Sequence, residues 1–275
     1  MEIKRLGVLG AGIMGTGIAQ VAAAEGIGVV LKDVSLPLIR ASLNKMCKRL
    51  TEAQSKSILD KITPTDKWEE FKGADFVVEA VAENLALKQE CFVQLDKVCH
   101  PSTILATNTS TLCITQIASV TQRPQKVIGM HFMNPVPVMK LVEIIPGLHT
   151  SPQTVEATIA LATKLKKTTA QAKDLPGFLS NRILVPMINE AIFCLMEGVG
   201  TRESIDTVMK LGMNHPMGPL ALADLIGLDT LLSVMEILHE GFGDSKYRPC
   251  PLLRNMVHAG FLGKKSGKGF YDYAG

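Results

Sequence analysis

The stretch Leu6-Gly7-Val8-Leu9-Gly10-Ala11-Gly12-Ile13-Met14-Gly15 decides the fold. Its first four residues are a short apolar run of strand character. Gly10-x-Gly12-x-x-Gly15 follows at once and opens a helical segment over about 13–25. Strand, glycine turn and helix in that order are the opening of a dinucleotide-binding βαβ unit. Gly10 permits the tight turn, Gly12 lets the backbone approach a pyrophosphate, and Gly15 allows close helix–strand packing. The helix N-terminus offers amide donors and a partial positive charge to phosphates.

Working outward, the pattern continues. Further strand runs are Val29-Val30-Leu31, Phe76-Val77-Val78, Ile104-Leu105-Ala106 and Val127-Ile128-Gly129-Met130, with Leu141-Val142-Glu143-Ile144-Ile145 after a proline-bearing turn. They are nearly continuously apolar, as strands covered on both faces must be. Helical segments are expected over about 36–58, 85–97 and 152–166. Past Asp174-Leu175-Pro176-Gly177 the periodicity becomes helical, broken at Pro216, Gly218-Pro219 and Pro249. The fold class is therefore α/β: a Rossmann-like, mostly parallel sheet domain over 1–173, a linker at 174–179, and an all-helical domain over 180–275.

Asp33 closes the second strand eighteen residues after Gly15, where the fingerprint places an acidic residue. Its carboxylate would accept from the adenosine ribose hydroxyls and repel a 2′-phosphate, which favours NAD over NADP. The neighbouring Lys32 leaves NADP open. The same glycines remove a decoy: an uncharged run from Leu6 to Ala24 behind Lys4 and Arg5 imitates a signal peptide, yet five glycines make it a poor hydrophobic helix.

Composition narrows the partners. Among 275 residues, 29 Lys and Arg against 26 Asp and Glu give a net charge of +3, and aromatics are only 5%. No basic stripe with stacking aromatics is present, so no nucleic-acid partner is expected, and no membrane association either. The six cysteines include no Cys-x-x-Cys pair, which points to reduced thiols in a cytoplasmic protein. No His or Cys lies at zinc spacing, so no metal is expected.

The most informative segment is Gly129-Met130-His131-Phe132-Met133-Asn134-Pro135-Val136-Pro137-Val138-Met139-Lys140-Leu141-Val142-Glu143. His131 lies near the C-terminal end of a strand, the edge where open α/β sheets bind ligands. His131 and Glu143 each stand six residues from Pro137. A hairpin around the prolines makes them cross-strand neighbours. A carboxylate so placed fixes the imidazole tautomer and raises the basicity of the other nitrogen, as general acid–base catalysis of hydride transfer requires.

The run from His131 to Glu143 resembles the short-chain L-3-hydroxyacyl-CoA dehydrogenases, especially the bacterial 3-hydroxybutyryl-CoA dehydrogenases. The resemblance extends to Gly10–Gly15, Glu79–Lys88, Thr107-Asn108-Thr109-Ser110, Pro176–Arg182, Asn214–Pro219 and the tail Gly263–Tyr271. It implies NAD as cofactor and an acyl-CoA substrate, with His131 catalytic and Glu143 its partner. Ser110 and Asn181 are implied to hold the substrate 3-oxygen, with Asn134 a further substrate contact. Ile13, Met14, Glu83, Lys88 and Asn108 are implied to lie at the cofactor, and the helical domain to form a homodimer. One departure stands out: segment 36–62 is several residues shorter than the family's helical hairpin, which puts the coenzyme A contacts of Lys45, Lys48 and Arg49 in question. Two other readings stay open: a dehydrogenase of free hydroxy acids, and a non-catalytic NAD-binding homologue such as the lens crystallin that resembles this family.

Overall fold

The computed structural model describes residues 3–273. The chain divides into two compact units at the proline–glycine punctuation, Met1–Leu175 and Pro176–Gly275.

The first unit is built on one eight-stranded sheet of order β3-β2-β1-β4-β5-β6-β7-β8. The strands are β1 (Arg5–Leu9), β2 (Gly28–Lys32), β3 (Ile62–Thr65), β4 (Phe76–Glu79), β5 (Ile104–Thr107), β6 (Val127–Phe132), β7 (Leu141–Pro146) and β8 (Thr168–Gln171). β1 to β6 run parallel, β7 pairs antiparallel with β6, and β8 runs parallel to β7. Alternate residues face opposite sides. Leu6, Val8, Val29, Leu31, Phe76 and Val78 join the buried core that also holds Ile18, Ala22, Ile39 and Leu161 from the helices. Those helices are α1 (Ile13–Ala24), α2 (Leu36–Cys47) and α6 (Pro152–Lys164), and α3 (Glu52–Leu59) adds Ile58. On the other face a Cβ at Gly7 would meet Phe71 and Val77, so only glycine lets Phe71 lie against the sheet there. α4 (Leu85–Val98) and α5 (Ile114–Ala118) complete the unit.

Chain order reverses between β1 and β4, the switch point at which open sheets leave a ligand crevice. The glycine turn sits there: Gly10 has φ +100°, and a Cβ on it would strike the Ala80 carbonyl just beyond β4.

Three features depart from the sequence expectations. Segment 36–58 is not one helix, because the chain turns at Lys48–Leu50 and restarts on a capping box in which Thr51 and Gln54 bond each other's backbone amides. β3 and β8 were not expected. Each is a four-residue edge strand, one holding Pro64 and the other reading Thr-Thr-Ala-Gln, and such short polar edges carry little hydrophobic pattern.

The second unit contains α7 (Ser180–Met196), α8 (Arg202–Thr207), α9 (Pro219–Ile226), α10 (Leu228–Phe242) and α11 (Pro251–His258) around their own apolar core. Gly227, at φ +105°, splits the apolar run 220–238 into two helices. Two buried aspartates tie the tail down. Asp206 accepts from the Leu220 and Ala221 amides and the Tyr271 hydroxyl. Asp224 accepts from the Phe270 and Tyr271 amides and the Tyr273 hydroxyl. Among the described residues no helix is long and apolar enough to cross a membrane.

Candidate active site

The glycine turn is shaped for a phosphate. Gly12 caps α1 with no side-chain hydrogen bond, and a Cβ on it would meet nothing within 4 Å. Open backbone at a helix start is what a pyrophosphate needs. A Cβ on Gly15 would instead fall onto the Gly10 carbonyl, so this glycine is there for packing. Ile13 is 72% exposed beside the turn, and Met14 follows it half-buried.

Asp33 lies half-buried at the end of β2. Its Oδ2 accepts from the Ala11 amide at 2.6 Å and Oδ1 from the Val34 amide at 2.6 Å. A carboxylate has about four acceptor positions, so two bonds hold the side chain against the turn and leave capacity for ribose hydroxyls. Lys32 does not present its amine as a phosphate partner. It is 5% exposed, with Nζ 4.3 Å from the Trp68 ring centroid and 3.4 Å from the Asp33 carbonyl. The chain's residues therefore fit NAD.

Three residues past β5, Ser110 belongs to a hydroxyl-rich turn organised by Glu83. Glu83 Oε1 accepts from Thr109 Oγ1 at 2.5 Å, the Ser110 amide at 2.9 Å, Ser110 Oγ at 3.2 Å, and the amide and hydroxyl of Thr111 at 3.1 Å each. Burial alone would raise the Glu83 carboxyl. The Lys88 ammonium, then Thr109, Ser110 and Thr111, outweigh it and hold the group below its ordinary 4.5. Lys88 is 1% exposed and bridges two carboxylates: Glu79 at 2.7 Å and Glu83 at 3.5 Å. Glu79, wholly buried, also accepts from Thr107 Oγ1 and the Val81 amide, each at 2.7 Å. Sequence reasoning gave Glu79 and the flanking threonines no role. No local pattern signals the pair: Glu79 ends an apolar strand, but Lys88 stands beside Gln89 and Glu90 as a surface helix lysine would.

Asn108 takes a stitching position. Its Oδ1 accepts from the Phe132 amide at 2.9 Å and its own amide donates to the Glu79 carbonyl at 2.7 Å, so it holds the ends of β4, β5 and β6 together.

β6 and β7 pair with His131 directly opposite Glu143. His131 Nδ1 lies 2.8 Å from Glu143 Oε2, with the side chains 10% and 1% exposed. An ionised carboxylate only accepts, so with Glu143 ionised Nδ1–H would donate to it and Nε2 would be the nitrogen that exchanges protons. Asn134 follows β6 on the exposed turn, joined to Pro135 by a cis peptide. Asn181 is the second residue of α7, in the second unit.

The chain matches the model of the 3-hydroxyacyl-CoA dehydrogenase NAD-binding domain over residues 5–175 and that of the same enzymes' C-terminal domain over 177–273. It belongs to the 3-hydroxyacyl-CoA dehydrogenase family. As a member it is an NAD-dependent oxidoreductase. A probable 3-hydroxybutyryl-CoA dehydrogenase of Bacillus subtilis is 60% identical over 99% of this chain and 98% of its own length. The 3-hydroxybutyryl-CoA dehydrogenase of Bradyrhizobium diazoefficiens is 49% identical over 99% and 96%. The crystal structure of (S)-3-hydroxybutyryl-CoA dehydrogenase from Ralstonia eutropha superposes with a TM-score of 0.94 at 48% identity, covering all of both chains.

Proposed function

We propose that the chain interconverts (S)-3-hydroxybutyryl-CoA and acetoacetyl-CoA, with His131 as the general acid–base. The buried His131–Glu143 pair at 2.8 Å carries this reading. In reduction, bound NADH supplies the hydride to C3. His131, as imidazolium, gives its Nε2 proton to the 3-oxygen, so the carbonyl gains hydride and proton and becomes the hydroxyl. Glu143 keeps Nδ1 protonated and offsets the positive charge that the ring carries before transfer. Ser110 polarises the carbonyl: its amide stays on Glu83 while its hydroxyl, which donates to Glu83 Oε1 at 3.2 Å, rotates to the oxygen that is gaining charge. Asn134 and Asn181 supply further amide donors to the substrate, a role that rests on resemblance. Gly10, Gly12, Ile13, Met14, Gly15 and Asp33 would hold the dinucleotide, with Glu83, Lys88 and Asn108 building the wall beside it. Lys45, Lys48 and Arg49 stand exposed at the end of α2, where they would meet coenzyme A phosphates.

The test is NADH oxidation by acetoacetyl-CoA, followed at the nicotinamide absorbance. NADH should support turnover well above NADPH, and free acetoacetate should support none. Equal rates with the free acid would replace this reading by the hydroxy-acid one, and no oxidation at all would favour a non-catalytic homologue.

The compartment proposed is the cytoplasm, in keeping with six free thiols. The second unit is proposed to form a homodimer, since it exposes Ile183, Val199, Val208, Leu211 and Met213 by more than half of their surface. Sedimentation at micromolar protein should give the mass of two chains, and a monomer there would remove the proposal.

A further inference from the structure

We propose that Lys167, between α6 and β8, is a positioning residue for the reaction, pinning the 134–139 turn that carries Asn134. The inference rests on the functional reading above for what the turn does, and on geometry alone for how it is held.

The turn between β6 and β7 is exposed at Asn134, Pro135, Pro137, Val138 and Met139, and only Val136 is buried. A turn so exposed has little apolar contact to fix it. Its own backbone bonds are few: the Val138 and Met139 amides both converge on the Pro135 carbonyl at 3.0 Å. Among the described residues, contacts from two sides hold it. On one side Val136 lies against α1, where a Cβ on Gly17 would stand 2.9 Å from Val136 Cβ, so the absent side chain admits the turn. On the other side Lys167, 9% exposed, reaches in. Its Nζ donates to the Val136 carbonyl at 2.5 Å and to the Met139 carbonyl at 2.7 Å.

One ammonium thus gathers both ends of a four-residue span, and the buried Val136 carbonyl has a charged donor. Such bonds are roughly twice as strong as neutral ones. Burial pushes the Lys167 amine below its ordinary value. That cost is sustained only if the bonds to the turn return more. The neighbouring amide of Thr168 bonds the Lys140 carbonyl at 2.7 Å, so the clamp sits where β8 begins to pair. The turn is therefore fixed between the phosphate-binding helix and a lysine from the far edge of the sheet. Loosening it displaces Asn134 without touching the glycine turn or the His131–Glu143 pair.

Lys167→Met keeps the length and apolar stem and removes the donors. Two readouts are taken on the whole protein: hydrogen exchange of residues 133–140 by mass spectrometry, and steady-state kinetics with acetoacetyl-CoA beside the NADH dissociation constant. Exchange in 133–140 should rise several-fold while β1 stays protected. The kcat/KM for acetoacetyl-CoA should fall by about tenfold or more, as a displacement of order 1 Å produces, with NADH affinity within twofold. Lys167→Arg, which keeps charged donors, should recover most of both. Unchanged exchange in the turn overturns the clamp, and so does faster exchange with unaltered kcat/KM. A parallel loss of NADH affinity makes Lys167 merely structural and also overturns the proposal. If Lys167→Met does not fold, the shorter Lys167→Gln is measured for the same two quantities. If the wild type proves inactive on acetoacetyl-CoA, the functional reading fails separately, and the exchange result still decides the clamp.

Discussion

Changing His131 to glutamine should reduce turnover of acetoacetyl-CoA by about 10²–10⁴, the range that general acid–base help is worth, while NADH binding stays near the wild-type value. The ring leaves at the end of β6, and the glycine turn after β1 is untouched. Glutamine retains a donor that can still polarise a carbonyl, but no titratable proton to transfer. The loss should therefore fall on kcat more than on KM. Glu143→Gln should give a smaller fall of the same kind. Its amide oxygen can still accept from Nδ1, yet the negative charge that favours the imidazolium is gone. Stopped-flow NADH oxidation, with nicotinamide fluorescence for binding, separates these effects. A His131→Gln enzyme within tenfold of wild type in kcat would remove the imidazole from the chemistry. A matching loss of NADH affinity would make the residue structural.

How much of this was visible in the chain can be traced to particular residues. Glycines at 10, 12 and 15 were readable because each spacing answers a steric need, now seen as the Ala80 carbonyl, open space and the Gly10 carbonyl. The opposition of His131 and Glu143 was readable because a hairpin has period two and two prolines mark its turn. What escaped notice was of three kinds. Edge strands β3 and β8 are short and polar, so they lack the pattern that marks their central neighbours. The helix break at Thr51 was written in Thr51-x-x-Gln54 and could have been read. Lys167 and the Glu79–Lys88–Glu83 chain could not: their partners are backbone carbonyls, hydroxyls and charges from distant segments, and no local pattern announces such a meeting. Lys32 shows the converse hazard. Adjacency to Asp33 suggested a phosphate partner, but strand alternation turns successive side chains to opposite faces, and Lys32 ends against Trp68.

Lys88→Met should be the most destabilising single change at the site, by about 3–5 kcal/mol, the usual cost of deleting one partner of a buried ion pair. The pair is 2.7 Å apart with the side chains 1% and 0% exposed, so water cannot take the ammonium's place at Glu79. Thr107 and the Val81 amide still donate to that carboxylate, but neither carries charge. Against a typical total of about 5–15 kcal/mol, such a loss is a large fraction, readable as a lower urea midpoint for the first unit. The deficit belongs to the orphaned charge rather than to the missing contact. Pairing the change with Glu79→Met should therefore restore much of the stability, leaving the double variant firmer than Lys88→Met alone. Acid should narrow the gap. In the wild type Lys88 helps hold the Glu83 carboxyl below 4.5, so that share of stability is complete above 4.5 and drains away as the pH falls through the lowered value. The variant has less of it to lose. Glu83 is about one-third exposed, which keeps this share small beside the Glu79 effect. A double variant weaker than the single would show instead that the pair stabilises the fold outright.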